Sequence, residues 1–107
     1  RLLKKNSIIY KQRRDYTCEC FNRNFKETIQ LKKPSGGLAI WIEFLPSISL
    51  IQLAEEVSKL DVLLPKTILY QDKNTCAIRF GFGHLSEEEI EIVVSKLKLA
   101  YDTITKS

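Results

Sequence analysis

The 107-residue sequence predicts an α+β fold, a mostly antiparallel sheet with helices packed on one of its faces. Three observations predict it. Segments 38–44 and 76–82 alternate their apolar residues with the period of two that a half-buried strand requires. Segments 49–60 and 86–104 carry apolar residues at helical spacing behind helix-start signals. A set of this kind closes into layers when the helices cover one side of the sheet, leaving the other side open or covered by another domain.

Residues 2 to about 25 read as one helix, since no Pro or Gly interrupts them. Leu2, Ile9, Tyr16 and Cys20 lie along one side, with Phe21 and Phe25 nearby. The apolar band is broad and the basic face crowded, as expected of a helix that packs on something beyond these residues. Ile29 and Leu31 alternate with Gln30 and Lys32 in a short strand, and Pro34-Ser35-Gly36-Gly37 is a turn by composition. In the next strand Leu38, Ile40, Ile42 and Phe44 line one face and Ala39, Trp41 and Glu43 the other, before Pro46 ends it. Trp41 reads as packing rather than as a stacking platform.

Ser49 with Gln52 forms a capping-box pattern ahead of Leu50, Leu53, Ala54, Val57 and Leu60. Asp61 breaks that helix. Val62–Leu64 reads as a short strand before Pro65, and Thr67–Tyr70 as another. Asp72-Lys73-Asn74 then turns the chain into strand 76–82. Ser86 and Glu89 make a second capping box, followed by the stripe Ile90, Val93, Val94, Leu97, Tyr101 and Ile104. Glu87, Glu88 and Glu89 fill the first turn of this helix, where carboxylates favour the positive end of the helix dipole. That explains them more simply than catalysis does.

Arg79 is the residue that points to chemistry. Cys76, Ile78, Phe80 and Phe82 share one strand face; the other holds Ala77, Arg79, Gly81 and Gly83. A guanidinium among the smallest residues leaves room above it. Its planar fork matches a carboxylate or phosphate with two parallel hydrogen bonds. The alternative is a structural ion pair, for instance with Glu43 on another strand.

Composition bounds the rest. The apolar fraction is 44% and the charged fraction 28%, ordinary for one globular domain. No apolar run approaches the length that spans a bilayer. Of the net charge of +4, much comes from Lys4, Lys5, Lys11, Arg13 and Arg14, with Lys32 and Lys33 beyond; no nucleic-acid motif accompanies them, and a solvated helix face is the expected role. Cys18, Cys20 and Cys76 have neither zinc spacing nor a disulfide framework, and with His84 the single histidine a metal site lacks ligands. Reduced thiols are expected, and His84 reads as a connector between strand and helix. The sequence has no methionine, which suggests a piece of something longer. No nucleophile elbow or phosphate-binding glycine loop is present.

Three stretches in order carry a family resemblance: Pro34-Ser35-Gly36-Gly37-Leu38-Ala39-Ile40-Trp41-Ile42-Glu43, then Val62-Leu63-Leu64-Pro65, then Ile78-Arg79-Phe80-Gly81-Phe82-Gly83 followed by Leu85-Ser86-Glu87-Glu88-Glu89-Ile90. Tyr10-Lys11-Gln12-Arg13-Arg14-Asp15 adds to them. Together they resemble the C-terminal small domain of fold-type I, class I/II aminotransferases, and most of all the effector domain of MocR-type regulators of the GntR family. Lys66 stands where that family often has glycine.

The resemblance implies a long helix at 1–25 leading in from a large domain and a small domain at 26–107. It implies that Arg79 holds the carboxylate of an amino-acid or amine-type ligand. It places the pyridoxal phosphate site, its lysine and its phosphate contacts in the large domain, so this chain alone is expected to bind no cofactor and to be inactive. The full-length parent is expected to be a cytoplasmic homodimer that touches DNA only through an N-terminal winged helix, and no membrane. Two further readings stay open: the small domain of a working aminotransferase, and a free-standing α+β interaction domain in which Arg79 is structural.

Overall fold

The computed structural model describes residues 2–32 and 39–106, with side chains from Ile8 onward. Helix α1 spans Leu2–Phe25 and runs through a short 3-10 turn, Lys26–Thr28, into strand β1, Ile29–Lys32. Lys26 adopts φ 52°, the left-handed geometry that closes a helix end, and the Thr28 hydroxyl donates to the Phe25 carbonyl at 2.7 Å. Strand β2 spans Ala39–Phe44, α2 Leu50–Ser58, β3 Leu69–Gln71, β4 Cys76–Gly81 and α3 Glu87–Thr105. The four strands form one antiparallel sheet in the order β1-β2-β4-β3. The α+β layer expected from the alternation of 38–44 and 76–82 is therefore the fold. The predicted turn Pro34–Gly37 and the strand start at Leu38 lie outside the described residues, as do Lys33 and the side chains of Leu2, Lys4 and Lys5.

Register divides the sheet cleanly. Ile42 faces Ile78, Ile40 faces Phe80, Leu31 faces Ile42 and Ile29 faces Phe44, so these residues share the core side. Against it lie α1 and α3, with α2 packed beside α3. Phe21 meets Phe80 edge-on at 5.1 Å, and Phe25 meets Phe44 at 6.0 Å and Tyr101 at 5.3 Å. The stripe predicted on α1 holds only in its C-terminal half: Thr17, Cys18, Cys20, Phe21 and Phe25 are buried, whereas Ile8, Ile9 and Tyr10 are exposed. Ile9 therefore does not join the core.

The capping box expected at α3 forms in both directions, whereas at α2 the serine half of the expected box forms. Ser86 accepts from the Glu89 N–H at 3.1 Å while the Glu89 carboxylate accepts from the Ser86 N–H at 2.8 Å. Ser49 accepts from the Gln52 N–H at 3.2 Å, and Gln71 Oε1 takes the Leu50 N–H at 2.9 Å, which ties the start of α2 to β3. Asp61 ends α2 as expected, by a definite device: at φ 68° it sits in the left-handed region. Its N–H reaches Ser58 O at 3.1 Å while the Val62 N–H reaches Val57 O, also at 3.1 Å, the paired bonds of a Schellman close.

That close overturns one expectation. Residues 62–64 are irregular rather than a strand, because the Val62 N–H is already taken by Val57 and Pro65 has none to give. The strand expected at Thr67–Tyr70 is a 3-10 turn over Lys66–Ile68 followed by β3.

Candidate functional site

The outer side of the sheet, opposite the helices, carries the candidate site. Alternation puts Gln30 and Lys32 of β1, Ala39, Trp41 and Glu43 of β2, Tyr70 of β3, and Ala77, Arg79 and Gly81 of β4 on this side. Arg79 lies directly opposite Trp41, Ala77 opposite Glu43 and Tyr70, and Gly81 opposite Ala39. The rings of Trp41 and Tyr70 meet across β4, tilted, with centroids 4.9 Å apart. Beneath them Ala77 is 0% exposed. A larger residue at 77 would push these rings apart, which is the structural reason for a small one there.

Arg79 itself is exposed, and among the described residues it forms no ion pair or hydrogen bond. The structural pair with Glu43 is not made, because Glu43 turns to Lys32 at 3.5 Å on the far side of its strand. A Cβ placed on Gly81 would meet nothing within 4 Å, so the space beside the arginine is open. Ala77 is roofed by the two rings and Ala39 is buried, so the open floor lies at Gly81, with the rings beside it and, among the described residues, one uncommitted guanidinium. A carboxylate can approach such a group and take both of its parallel N–H donors.

The other residues weighed from sequence do not gather around Arg79. His84 is exposed in the loop between β4 and α3, on the rim of an apolar cleft of about 430 Å³ between that loop and the 61–65 segment, with Phe80, Leu64 and Leu85 in its lining. Glu87, Glu88 and Glu89 are exposed in the first turn of α3. Cys18, Cys20 and Cys76 are buried and none is in a disulfide, and among the described residues no group of metal-ligating side chains converges. Of the described helices none is long and apolar enough to cross a membrane.

A polar cluster that the sequence reading missed locks α1 to α3. Tyr16 donates its hydroxyl to Glu91 Oε2, and Arg23 donates to Glu91 Oε1 at 3.0 Å. Cys20 lies between them, its sulfur 3.3 Å from Arg23 Nη2 and 3.7 Å from the Glu91 carboxylate. The signal was present at helical spacing, since Tyr16, Cys20 and Arg23 are one turn apart, but nothing in the sequence tied them to Glu91, 75 positions after Tyr16. The Tyr16 hydroxyl bond and the Arg23 charge hold the Glu91 carboxyl below the usual carboxylate range. Burial pushes the Cys20 thiol up.

The sign of the pH effect follows. A depressed carboxylate stabilises the fold above its unfolded-state value, and that contribution is lost as pH falls through the folded value. Melting curves of wild type and Glu91→Gln should therefore differ at neutral pH and converge in acid. A difference that stays constant down to strongly acidic pH would show that the charge of Glu91 contributes nothing.

The chain is similar to helix-turn-helix transcriptional regulators. Over 96 residues it is 30% identical to the HTH-type transcriptional regulator NorG of Staphylococcus aureus strain USA300, covering 89% of this chain and 22% of that protein. Over 89 residues it is 27% identical to an uncharacterized HTH-type transcriptional regulator, YdfD, of Bacillus subtilis strain 168, covering 83% of this chain and 18% of the relative. The chain thus spans about a fifth of the length of the curated relatives it matches. No protein-family model matches it.

Proposed function

We propose that this chain is the C-terminal part of the ligand-sensing portion of a MocR-type, GntR-family transcription regulator, with Arg79 binding the carboxylate of an amino-acid or amine-type ligand. One observation carries the reading. On an open sheet face, Arg79 has its structural alternative, Glu43, drawn away to Lys32. A cation left unpaired among small residues and beside aromatic rings suits an anionic ligand that arrives from solution at this open face. The similarity to regulators named for a helix-turn-helix supports DNA as the parent's target and favours regulation over a working aminotransferase, which would use the same arginine.

In this reading DNA contact belongs to the parent's N-terminal winged helix, and pyridoxal phosphate to its large domain. The residues described here do not fit that cofactor themselves. A lysine that forms a covalent bond with it must be desolvated and free of competing partners, whereas Lys32, Lys59 and Lys98 are tied to Glu43, Glu56 and Asp102, Lys11, Lys26, Lys66, Lys73 and Lys106 are exposed, and the half-buried Lys96 stands on α3, on the side of the sheet away from Arg79. The chain's own part is to position a carboxylate and shape what lies next to it.

DNA occupancy of the full-length parent, read by fluorescence anisotropy of labelled operator across a ligand titration, tests the assignment. Occupancy should shift with an amino-acid carboxylate in wild type and not in Arg79→Ala, with ligand-free DNA affinity equal in the two. An identical ligand response in both proteins would refute the role given to Arg79.

A further inference from the structure

We propose that the outer sheet face selects monocarboxylates bearing an aromatic or bulky apolar body and discriminates against dicarboxylates. The proposal rests on the reading of Arg79 as an anion site and adds what that site accepts beside the carboxylate. Two features of the face decide it.

The first is what flanks the arginine. Trp41 is its direct cross-strand partner, so a ligand held at the guanidinium has the Trp41 ring as its nearest neighbour toward β2. The ring is braced in a tilted pair with Tyr70, 4.9 Å between centroids, above the fully covered Ala77. A braced ring gives a ligand a flat apolar surface without ordering a loose side chain first. On the other side, Gly81 leaves open space where any side chain would intrude. A ring on the ligand can lie in offset or edge-on contact with such a wall, and aromatic contacts of this type correspond to roughly two- to tenfold in an equilibrium constant.

The second is where the remaining charge lies. A dicarboxylate needs a second cation. Among the described residues of this face that cation is Lys32, and it is committed to Glu43 at 3.5 Å. Glu43 stands diagonal to Arg79, opposite Ala77, within the reach at which cross-strand neighbours interact. A second negative group directed along the sheet therefore meets a carboxylate before it meets a free ammonium. Both features point the same way: the ligand's charge belongs at one end and its bulk over the rings.

Trp41 is the single tryptophan of the 107 residues, so its emission in this chain reports on this face alone. The test titrates the chain at constant ionic strength with phenylacetate, acetate and glutarate, and with phenylacetamide as the uncharged counterpart. The expected result is a saturable change whose midpoint for phenylacetate lies roughly three- to tenfold below those for acetate and glutarate, with phenylacetamide weaker than phenylacetate. Arg79→Gln should raise the midpoints of all three anions. Tyr70→Ala, at an exposed position on the edge strand, should weaken phenylacetate and leave acetate unchanged. If acetate or glutarate binds as tightly as phenylacetate while Arg79→Gln still weakens them, the selectivity is overturned and the anion site stands. If no anion gives a saturable change, or Arg79→Gln leaves every midpoint in place, the anion site falls and the selectivity with it.

Discussion

Replacing Phe21 with alanine should destabilise the chain by about 3–5 kcal/mol, the range for deleting a fully enclosed phenylalanine. Phe21 is 1% exposed, stacks on Phe25 at 5.9 Å and meets Phe80 edge-on at 5.1 Å. Its ring contact with Phe80 joins α1 to the strand that carries Arg79. The loss combines the transfer of the ring to water with the cavity left between helix and sheet, which the surrounding rings refill only in part. Domains of this size are stable by roughly 5–15 kcal/mol in total, so a large share of the folding free energy rests on this contact. Denaturant titration followed by circular dichroism gives the value. A loss under about 1 kcal/mol, at the level of ordinary surface substitutions, would mean that α1 is not docked on the sheet as described.

The same contact shows what the sequence could and could not disclose. Phe21 and Phe25 stood out on an uninterrupted helix, and Ile78 and Phe80 on an alternating strand, because periodicity is a local property. Both capping serines were legible for the same reason: the bond from Ser86 to Glu89 spans a fixed three residues. The misreadings were also local in origin. Val62, Leu63 and Leu64 have strand-like composition, yet the neighbouring Schellman close consumes the Val62 N–H, and Leu63 ends 85% exposed. Ile9 has the right spacing for a core position but lies on the N-terminal half of α1, where it is 41% exposed.

For the candidate site, alternation alone put Arg79 among Ala77, Gly81 and Gly83. It could not pair Trp41 with Tyr70, because that meeting depends on the order β2-β4-β3, a matter of long-range topology. Nor could it choose between Glu43 as a partner of Arg79 and Glu43 as a partner of Lys32. Register leaves the two equivalent, since Lys32 and Arg79 both stand opposite Trp41 on neighbouring strands and diagonal to Glu43; the side-chain arrangement of the assembled sheet turns Glu43 to Lys32.

Truncating Arg79 should have the opposite profile to Phe21. If the arginine makes a bidentate and largely desolvated contact, Arg79→Ala should lower ligand affinity in the parent protein by roughly 2–5 kcal/mol. Arg79→Lys should restore only part of this, since an ammonium on a flexible stem cannot reproduce two parallel donors held in one plane. The fold should hardly respond. Arg79 is exposed and has no ion-pair partner among the described residues, so its removal leaves no buried charge unpaired, and exposed positions of this kind typically change stability by about 0.5 kcal/mol or less.

Isothermal titration of a carboxylate ligand into wild-type, Arg79→Ala and Arg79→Lys parent protein, with thermal melts of the same three samples, tests the central claim most directly. Affinity should fall steeply in Arg79→Ala and recover partly in Arg79→Lys, while all three melt at nearly the same temperature. Unchanged affinity accompanied by a large drop in melting temperature would contradict it and make Arg79 a structural residue of the sheet.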